Sequence, residues 1–86
     1  MIVGFAERGW EDYLYWQRTD KKITKRINLL LADIKRDPES GEGLGRPERL
    51  KGNLRGYFSR RITAEHRLVY TLAGDLILVA QCRFHY

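Results

Sequence analysis

The spacing of apolar residues changes from one half of the chain to the other. Up to residue 36 they recur at helical spacing, whereas from residue 57 onwards they show the alternation and β-branched composition of strands. Residues 37–47, between the two halves, hold both prolines and three of the eight glycines, which is typical of a long loop. A chain with this order of periods is predicted to fold as helices packed against a sheet.

One strand and two helices are predicted in the first half. Residues 2–6 form the strand, and the first helix carries one face at helical spacing, formed by Trp10, Tyr13, Leu14 and Gln17. Thr19 or Asp20 can cap the second helix, which ends at Asp37 because the residue before a proline avoids the helical conformation. The apolar stripe of this second helix consists of Ile23, Ile27, Leu30, Leu31 and Ile34.

Three strands joined by short turns are predicted in the second half. They cover residues 57–63, 66–72 and 76–85, which gives an antiparallel meander. The expected fold class is therefore α+β, in the order β-α-α-β-β-β. Its two N-terminal helices pack on one face of a small antiparallel-rich sheet and leave the other face open to solvent.

The alternation within each strand predicts which side chains reach the open face. In the last strand the even positions 78–84 are the more apolar set, so Gln81, Arg83 and His85 are expected to face solvent. In the middle strand Arg67 falls on the more polar side. Arg61 shares that side only for some turn lengths, and the sequence leaves this register open.

Length and composition limit the class of protein. A chain of 86 residues with 43% hydrophobic residues supports one domain, expected to span residues 1–86. The single cysteine, Cys82, lies in an apolar run, so we expect a small buried thiol and neither a disulfide nor a zinc site. With no signal peptide and no run of about 20 apolar residues, the expected protein is soluble and cytoplasmic, without membrane contact, cofactor or metal.

The charge balance points to an anionic partner. Sixteen lysines and arginines outnumber eleven acidic residues, which gives a net charge of +5. Such an excess favours binding to nucleic acid, to an acidic protein, or to both. A solvated basic surface without any partner is the alternative.

A set of ionisable and aromatic residues in the second half could carry chemistry. They are Glu48, Lys51, Arg60, Arg61, His66, Arg67, Arg83, His85 and Tyr86. A carboxylate, an imidazole and guanidinium groups are the parts needed to cleave RNA without a metal, by attack of the ribose 2′-OH on the adjacent phosphate. Arginine suits the stabilisation of a phosphorane because its planar fork binds two oxygens and stays charged. The same residue types also occur in plain nucleic-acid binders, so residue types alone leave both alternatives open.

Four segments carry a resemblance to a known family. They are Trp10–Trp16 (WEDYLYW), Pro47–Leu54 (PERLKGNL), Ser59–Tyr70 (SRRITAEHRLVY) and Cys82–Tyr86 (CRFHY). Together they resemble the YoeB/Txe toxins, which belong to the wider RelE/ParE group of bacterial type II toxin–antitoxin proteins. The resemblance runs from the first helix to the last residue.

The resemblance implies a fold, an activity and partners. The fold would be the RelE-like, microbial-RNase-like domain. The activity would be that of a ribosome-dependent mRNA endoribonuclease, which cuts mRNA in the ribosomal A site without a metal or cofactor and so inhibits translation. A YefM-type antitoxin would hold the toxin inactive, and formation of a homodimer stays open.

The resemblance also assigns catalytic roles by position. Glu48 would be the general base and His85 the general acid. Arg67 would stabilise the phosphorane, with Arg61 as a helper. Tyr86 would orient the nucleotide by stacking or hydrogen bonding.

Further contacts with substrate are expected around these residues. Lys51 would hold a neighbouring phosphate by the same resemblance, and Arg83 is expected at the tip of the last strand, facing the substrate. His66 is interpreted as a turn residue with a satisfied imidazole. The loop before Pro47 is longer than is usual in the family and Arg49 stands where a proline is common, so the placement of Glu48 is the feature most open to change.

Two alternatives remain beside the nuclease. Toxins of the ParE branch share the fold but bind DNA gyrase and cleave no RNA. A non-catalytic RNA-binding module would need only stacking aromatic residues on a basic sheet. The ParE-type alternative requires that the set Glu48, Arg67 and His85 is absent or scattered, and all three residues are present here. The RNA-binding module predicts that His85→Gln keeps the cellular effect, whereas the nuclease predicts that the effect is lost.

Overall fold

Two helices lie on one face of a five-stranded mixed sheet in the structure, a computed structural model that describes residues 1–86. The elements are β1 (Ile2–Phe5), α1 (Glu7–Thr19), α2 (Lys21–Arg36), β2 (Glu48–Arg49), β3 (Tyr57–Arg61), β4 (Arg67–Ala73) and β5 (Leu76–Gln81). A single turn of 3₁₀ helix covers Gly52–Leu54. Neither α-helix has the length and apolar character needed to cross a membrane.

The sheet confirms the predicted order of elements. Its strands run in the order β1-β5-β4-β3-β2, with β1 parallel to β5 and the other neighbours antiparallel. The two-residue strand β2 was not predicted, because a segment that short shows no alternation. It adds an edge strand next to β3, and Glu48 lies on it.

Helix α2 begins and packs as its sequence predicts. The Asp20 carboxylate accepts hydrogen bonds from the backbone N–H groups of Lys22 and Ile23, which satisfies donors that the first turn leaves unpaired. The buried side chains of the helix are the predicted stripe without its first residue, namely Ile27, Leu30, Leu31 and Ile34. They form the core together with strand residues that include Leu68, Tyr70, Ile77 and Val79.

The buried face of α1 differs from the prediction. Gly9, Asp12 and Trp16 are buried, whereas Trp10 is 47% exposed. The reason is the close approach of the helix to β5, where a Cβ atom on Gly9 would collide with the Val79 carbonyl. The contact face therefore combines Trp16 with a glycine and a polar residue, and apolar spacing alone does not predict the last two.

Strand β5 ends earlier than predicted and contains a bulge. Tyr70 pairs with Val79 but Val69 pairs with Gln81, so Ala80 is the extra residue. The bulge switches the buried positions from odd to even numbers: Ile77 and Val79 are buried before it, and Cys82 is buried after it. The prediction that the even positions are the buried set is therefore wrong before the bulge, and after it Cys82 fits the prediction but Phe84 is 52% exposed. The strand stops at Gln81, and the chain then turns towards the start of β4.

Candidate active site

A polar pocket of about 380 Å³ lies on the sheet face away from the helices. Its lining residues are Gly45, Arg46, Glu48, Ser59, Arg61, Arg67, His85 and Tyr86. All five residues predicted to be catalytic are among them. The pocket therefore combines a carboxylate, an imidazole, a phenol and guanidinium groups in one place.

The register of β3 and β4 shows which face of the sheet Arg61 occupies, which the sequence left open. Arg61 pairs directly with Arg67, so the connection between them consists of the five residues 62–66. Residues directly opposite each other in an antiparallel pair point to the same face. Both guanidinium groups therefore reach the pocket.

The Arg67 side chain is held by the turn that precedes it. Its Nη1 donates to the carbonyl oxygens of Thr63, Ala64 and His66, at 2.8, 3.2 and 3.2 Å. The Nε and Nη2 atoms of Arg67 make no hydrogen bond within the protein. One edge of the guanidinium is thus anchored and its other donors are available to an oxyanion.

Glu48 reaches the pocket from the edge strand. It pairs with Ser59 across β2 and β3, and its side chain is exposed. The loop that leads to it is fixed to the sheet by a 2.6 Å hydrogen bond from Arg61 N–H to the Gly45 carbonyl. Gly45 has φ +77°, and a Cβ there would press against the Arg61 backbone and Leu30. The long loop is therefore tied down just before Glu48.

A buried ion pair fixes the same loop from the other face of the sheet. Arg60 is fully buried, and its Nη1 donates to Asp33 Oδ2 at 2.7 Å and to the Leu44 carbonyl at 2.9 Å. Asp33 in turn accepts from Leu44 N–H at 3.1 Å. The hydrogen bonds from Arg60 and from the Leu44 amide hold the pKa of Asp33 below its usual value. Arg60 was among the candidates for chemistry, but it points towards the helices and not into the pocket.

Tyr70 completes this buried group. Arg60 Nε donates to Tyr70 Oη at 3.2 Å. Burial raises the pKa of the Tyr70 phenol, although the Arg60 hydrogen bond opposes the shift. The phenol therefore stays neutral and serves as an acceptor in the core.

Helix α1 holds the start of the C-terminal segment 82–86, which carries His85 and Tyr86. Asp12 accepts from Cys82 N–H at 3.0 Å, and Trp16 Nε1 donates to the Cys82 carbonyl at 2.8 Å. Burial, together with the Asp12 carboxylate, raises the pKa of the Cys82 thiol to about 12. Cys82 is the small buried thiol that was predicted, and both of its backbone polar groups bind α1.

The end of the segment reaches the pocket. Phe84 N–H donates to His66 Nδ1 at 2.7 Å, so His66 is a turn residue with a satisfied imidazole, as predicted. His85 and Tyr86 are exposed at the pocket wall. The Tyr86 and Ser59 hydroxyl groups lie 3.5 Å apart. The last residues therefore reach the pocket from a bent segment and not from the tip of a strand.

Two residues predicted to bind substrate lie outside the pocket lining. The Arg83 guanidinium stacks 3.6 Å from the ring centre of Tyr15 on α1, because the bulge and the end of β5 turn it away. Lys51 is exposed at the start of the 3₁₀ turn. Their contact with a substrate stays a prediction, and for Arg83 it would have to occur outside this pocket.

Three lining residues were not singled out from the sequence. Ser59 lies two positions before Arg61 on β3, so the period of two in a strand could have placed it on the same face. Gly45 and Arg46 belong to the loop, whose path no pattern predicts. Arg46 has φ +53°, which is uncommon for a residue with a side chain.

The ionisable groups that line the pocket are one carboxylate, one imidazole, one phenol and three guanidinium groups. Across the chain no three His, Cys, Asp or Glu side chains come together in a group that could hold a metal ion.

The fold, a mixed five-stranded sheet with two helices on one face, is that of the RelE-like toxins. Residues 5–86 match the family described as the YoeB-like toxin of bacterial type II toxin-antitoxin system. The chain belongs to this YoeB family and is a toxin of a type II toxin–antitoxin system.

Relatives match the chain from end to end. It is 57% identical over 86 residues to the toxin YoeB of Escherichia coli strain K12, and each chain is fully covered. The structure of a YoeB/ParE toxin from Agrobacterium tumefaciens superimposes with a TM-score of 0.94 at 50% identity, again with full coverage of both chains. A heterotetrameric YoeB-YefM complex from Staphylococcus aureus contains a chain with a TM-score of 0.90 and 50% identity; the match covers 100% of this chain and 98% of that one.

Proposed function

We propose that this toxin is an endoribonuclease that cleaves mRNA in the ribosomal A site by metal-free acid–base catalysis. The observation that carries the proposal is the pocket that unites Glu48, Arg61, Arg67, His85 and Tyr86. These groups come from β2, from β3, from β4 and from the C-terminal segment, so folding alone brings them together. They are the types of group that RNA cleavage through the 2′-OH requires.

Glu48 acts as the general base in the first step. Its carboxylate takes the proton of the ribose 2′-OH, and the oxygen attacks the adjacent phosphorus. The exposed position of Glu48 on an edge strand lets the carboxylate approach a strand of RNA that lies along the sheet. A pentacoordinate phosphorane with two negative charges results.

Arg67 and Arg61 stabilise this phosphorane. Arg67 is oriented in advance by the three turn carbonyls that bind its Nη1, so it needs no reorganisation when the charge develops. Arg61 adds a second cation from the opposite position on β3. A planar guanidinium can donate two hydrogen bonds to two phosphate oxygens at once.

His85 acts as the general acid in the last step. Its imidazolium donates a proton to the departing 5′ oxygen, and the phosphorus–oxygen bond breaks. The products are a 2′,3′-cyclic phosphate and a 5′-hydroxyl end. Tyr86 orients the nucleotide beside His85, and Lys51 binds a neighbouring phosphate outside the pocket.

We further propose that the ribosome completes the site. The two groups that move protons, Glu48 and His85, are both exposed, so water competes for them in the free toxin. An mRNA held by the ribosome would fix the 2′-OH and phosphate against them. The free toxin is therefore expected to be a poor ribonuclease.

A YefM-type antitoxin is the expected inhibitory partner. The Staphylococcus aureus YoeB has been solved in complex with YefM and also as a YoeB dimer. For this chain the net charge of +5 and the basic pocket favour an acidic segment that folds over the pocket and excludes RNA. A homodimer of the free toxin is proposed on the same comparison.

Primer extension on a translated mRNA tests the proposed function. Purified toxin is added to a reconstituted translation system, with His85→Gln in parallel and with the same mRNA lacking ribosomes as control. Cuts at A-site codons that need both ribosomes and His85 are expected. If folded toxin gives no cuts on translating ribosomes, the endonuclease proposal fails, and DNA gyrase supercoiling becomes the assay for the ParE-type alternative.

A further inference from the structure

We propose that His66 is a positioning residue that holds residues 84–86 in the pocket through its imidazole. The inference deepens the proposed function, on which its catalytic consequence rests. His66 does not line the pocket and touches no substrate in this proposal. Its effect on cleavage is exerted through the backbone of Phe84, the residue before His85.

The backbone N–H and the backbone carbonyl of Phe84 are both hydrogen-bonded, to the adjacent residues His66 and Arg67. Phe84 N–H donates to His66 Nδ1 at 2.7 Å, and the Phe84 carbonyl accepts from Arg67 N–H at 3.0 Å. His85 follows directly and has no comparable anchor, since its only hydrogen bond within the protein is a 3.4 Å contact between Nδ1 and the Tyr86 carbonyl. The direction in which His85 leaves the fold is therefore set at Phe84.

Phe84 needs this support because its backbone is strained. It has φ +66°, in the left-handed region that an aromatic residue rarely adopts. Such a conformation persists only where surrounding contacts determine it, and it is common at functional sites. The His66 hydrogen bond is one of the two backbone contacts that supply this support.

The imidazole is itself fixed in place. Its ring packs edge-on against Trp16, with 4.8 Å between the ring centres. Trp16 also donates to the Cys82 carbonyl, so the same indole contacts both the C-terminal segment 82–86 and the His66 imidazole that binds it. Because Nδ1 accepts a hydrogen bond, the imidazole is neutral with its proton on Nε2. His66 is thus occupied as an acceptor and is not available as the catalytic acid.

The substitutions His66→Asn and His66→Leu test the role of the hydrogen-bond acceptor at His66 Nδ1 separately from the bulk of the side chain. The Asn side-chain oxygen can occupy the place of Nδ1, whereas Leu has similar bulk and no acceptor. If His66→Leu does not fold, His66→Gln replaces it, since its amide reaches the place of Nε2 instead. Thermal unfolding of each variant establishes that the comparison is made on folded protein.

Amide hydrogen exchange of Phe84 tests the positioning without any RNA. The Phe84 amide is expected to be protected in the wild type and in His66→Asn, and to exchange freely in His66→Leu. An unprotected Phe84 amide in the folded wild-type protein overturns the proposal. This readout does not depend on nuclease activity, so its failure is distinct from failure of the proposed function.

Single-turnover cleavage on ribosomes tests the catalytic consequence. Relative to wild type, His66→Leu is expected to lower the cleavage rate at least about tenfold with unchanged affinity for ribosomes, while His66→Asn stays within about threefold. Equal losses in both variants, or full activity of His66→Leu, would show that the acceptor does not position the catalytic segment.

Discussion

Arg61 and Arg67 lie directly opposite each other on β3 and β4, with both guanidinium groups on the pocket face. Like charges in such a position destabilise a sheet. The arrangement is tolerated because the turn carbonyls bind one edge of Arg67. Two guanidinium groups that repel each other in the free protein can both bind an anionic phosphate of the substrate. The proposed chemistry depends on this pairing of Arg61 with Arg67.

Replacement of Arg61 should therefore change stability and activity in opposite directions. Arg61→Gln removes the repulsion and is expected to raise the free energy of unfolding by about 0.5 kcal/mol. The same variant is expected to cleave mRNA more slowly, because one of the two cations on the phosphorane is lost. Urea unfolding and single-turnover cleavage measure the two effects, and a variant that is both less stable and fully active would contradict this explanation.

Replacement of Glu48 should affect chemistry and leave the fold intact. Glu48→Gln keeps the size of an exposed side chain but cannot accept the 2′-OH proton, so cleavage is expected to fall by about 10²–10⁴-fold. Glu39→Gln is the matched control. Glu39 is an exposed acid of the preceding loop, is paired only with Arg49 at 3.8 Å, and lies outside the pocket. Similar activities of the two variants would remove Glu48 as the base.

The Asp33–Arg60 pair should control the stability of the loop that leads to Glu48. Asp33→Asn leaves the fully buried Arg60 without its counter-charge, and the free energy of unfolding is expected to fall by about 3 kcal/mol at neutral pH. Because folding lowers the pKa of Asp33 below 3.8, its contribution is complete above that pH and is lost as the pH falls below it. Urea unfolding at pH 7 and at pH 3 should therefore show a smaller difference between wild type and variant at pH 3. A difference that is independent of pH would exclude the carboxylate as the cause.

The Cys82 thiol should be inert in the folded protein. Its burial and a pKa raised to about 12 mean that almost no thiolate is present at pH 8. A thiol reagent is expected to label Cys82 only after unfolding in denaturant, which provides the positive control. Because folding raises this pKa from 9.0, the associated stability is complete below pH 9 and declines as the pH rises towards 12. Rapid labelling of native protein at pH 8 would show that the segment opens readily.

The sequence predicted those features that depend on local period. The stripe of α2, its Asp20 cap and the order of elements along the chain follow from spacing. The family resemblance added five of the eight pocket residues, namely Glu48, Arg61, Arg67, His85 and Tyr86. The strand period also put Arg67 on the correct face. These features need no knowledge of how the elements pack.

Features that depend on packing between elements were missed. The bulge at Ala80 changes the face of β5 without any glycine or proline to mark it. Gly9 and Asp12 lie beside Trp16 on the contact face of α1, and apolar spacing cannot predict these two residues. Arg60 and Arg61 are neighbours of the same type, yet they point to opposite faces, and only the pairing with β4 decides which one reaches the pocket.

The proposed chemistry depends on attack by the ribose 2′-OH, and this can be tested by removing that hydroxyl group. Two A-site mRNAs are compared in single-turnover reactions on ribosomes: one with ribose throughout, and one with a single 2′-deoxyribose on the 5′ side of the cut. The first mRNA is expected to yield a 2′,3′-cyclic phosphate and a 5′-hydroxyl end, and the second is expected to stay intact at that bond. Cleavage of the deoxy-substituted mRNA at the same bond would show that the 2′-OH is not the nucleophile and would contradict the roles proposed for Glu48 and His85.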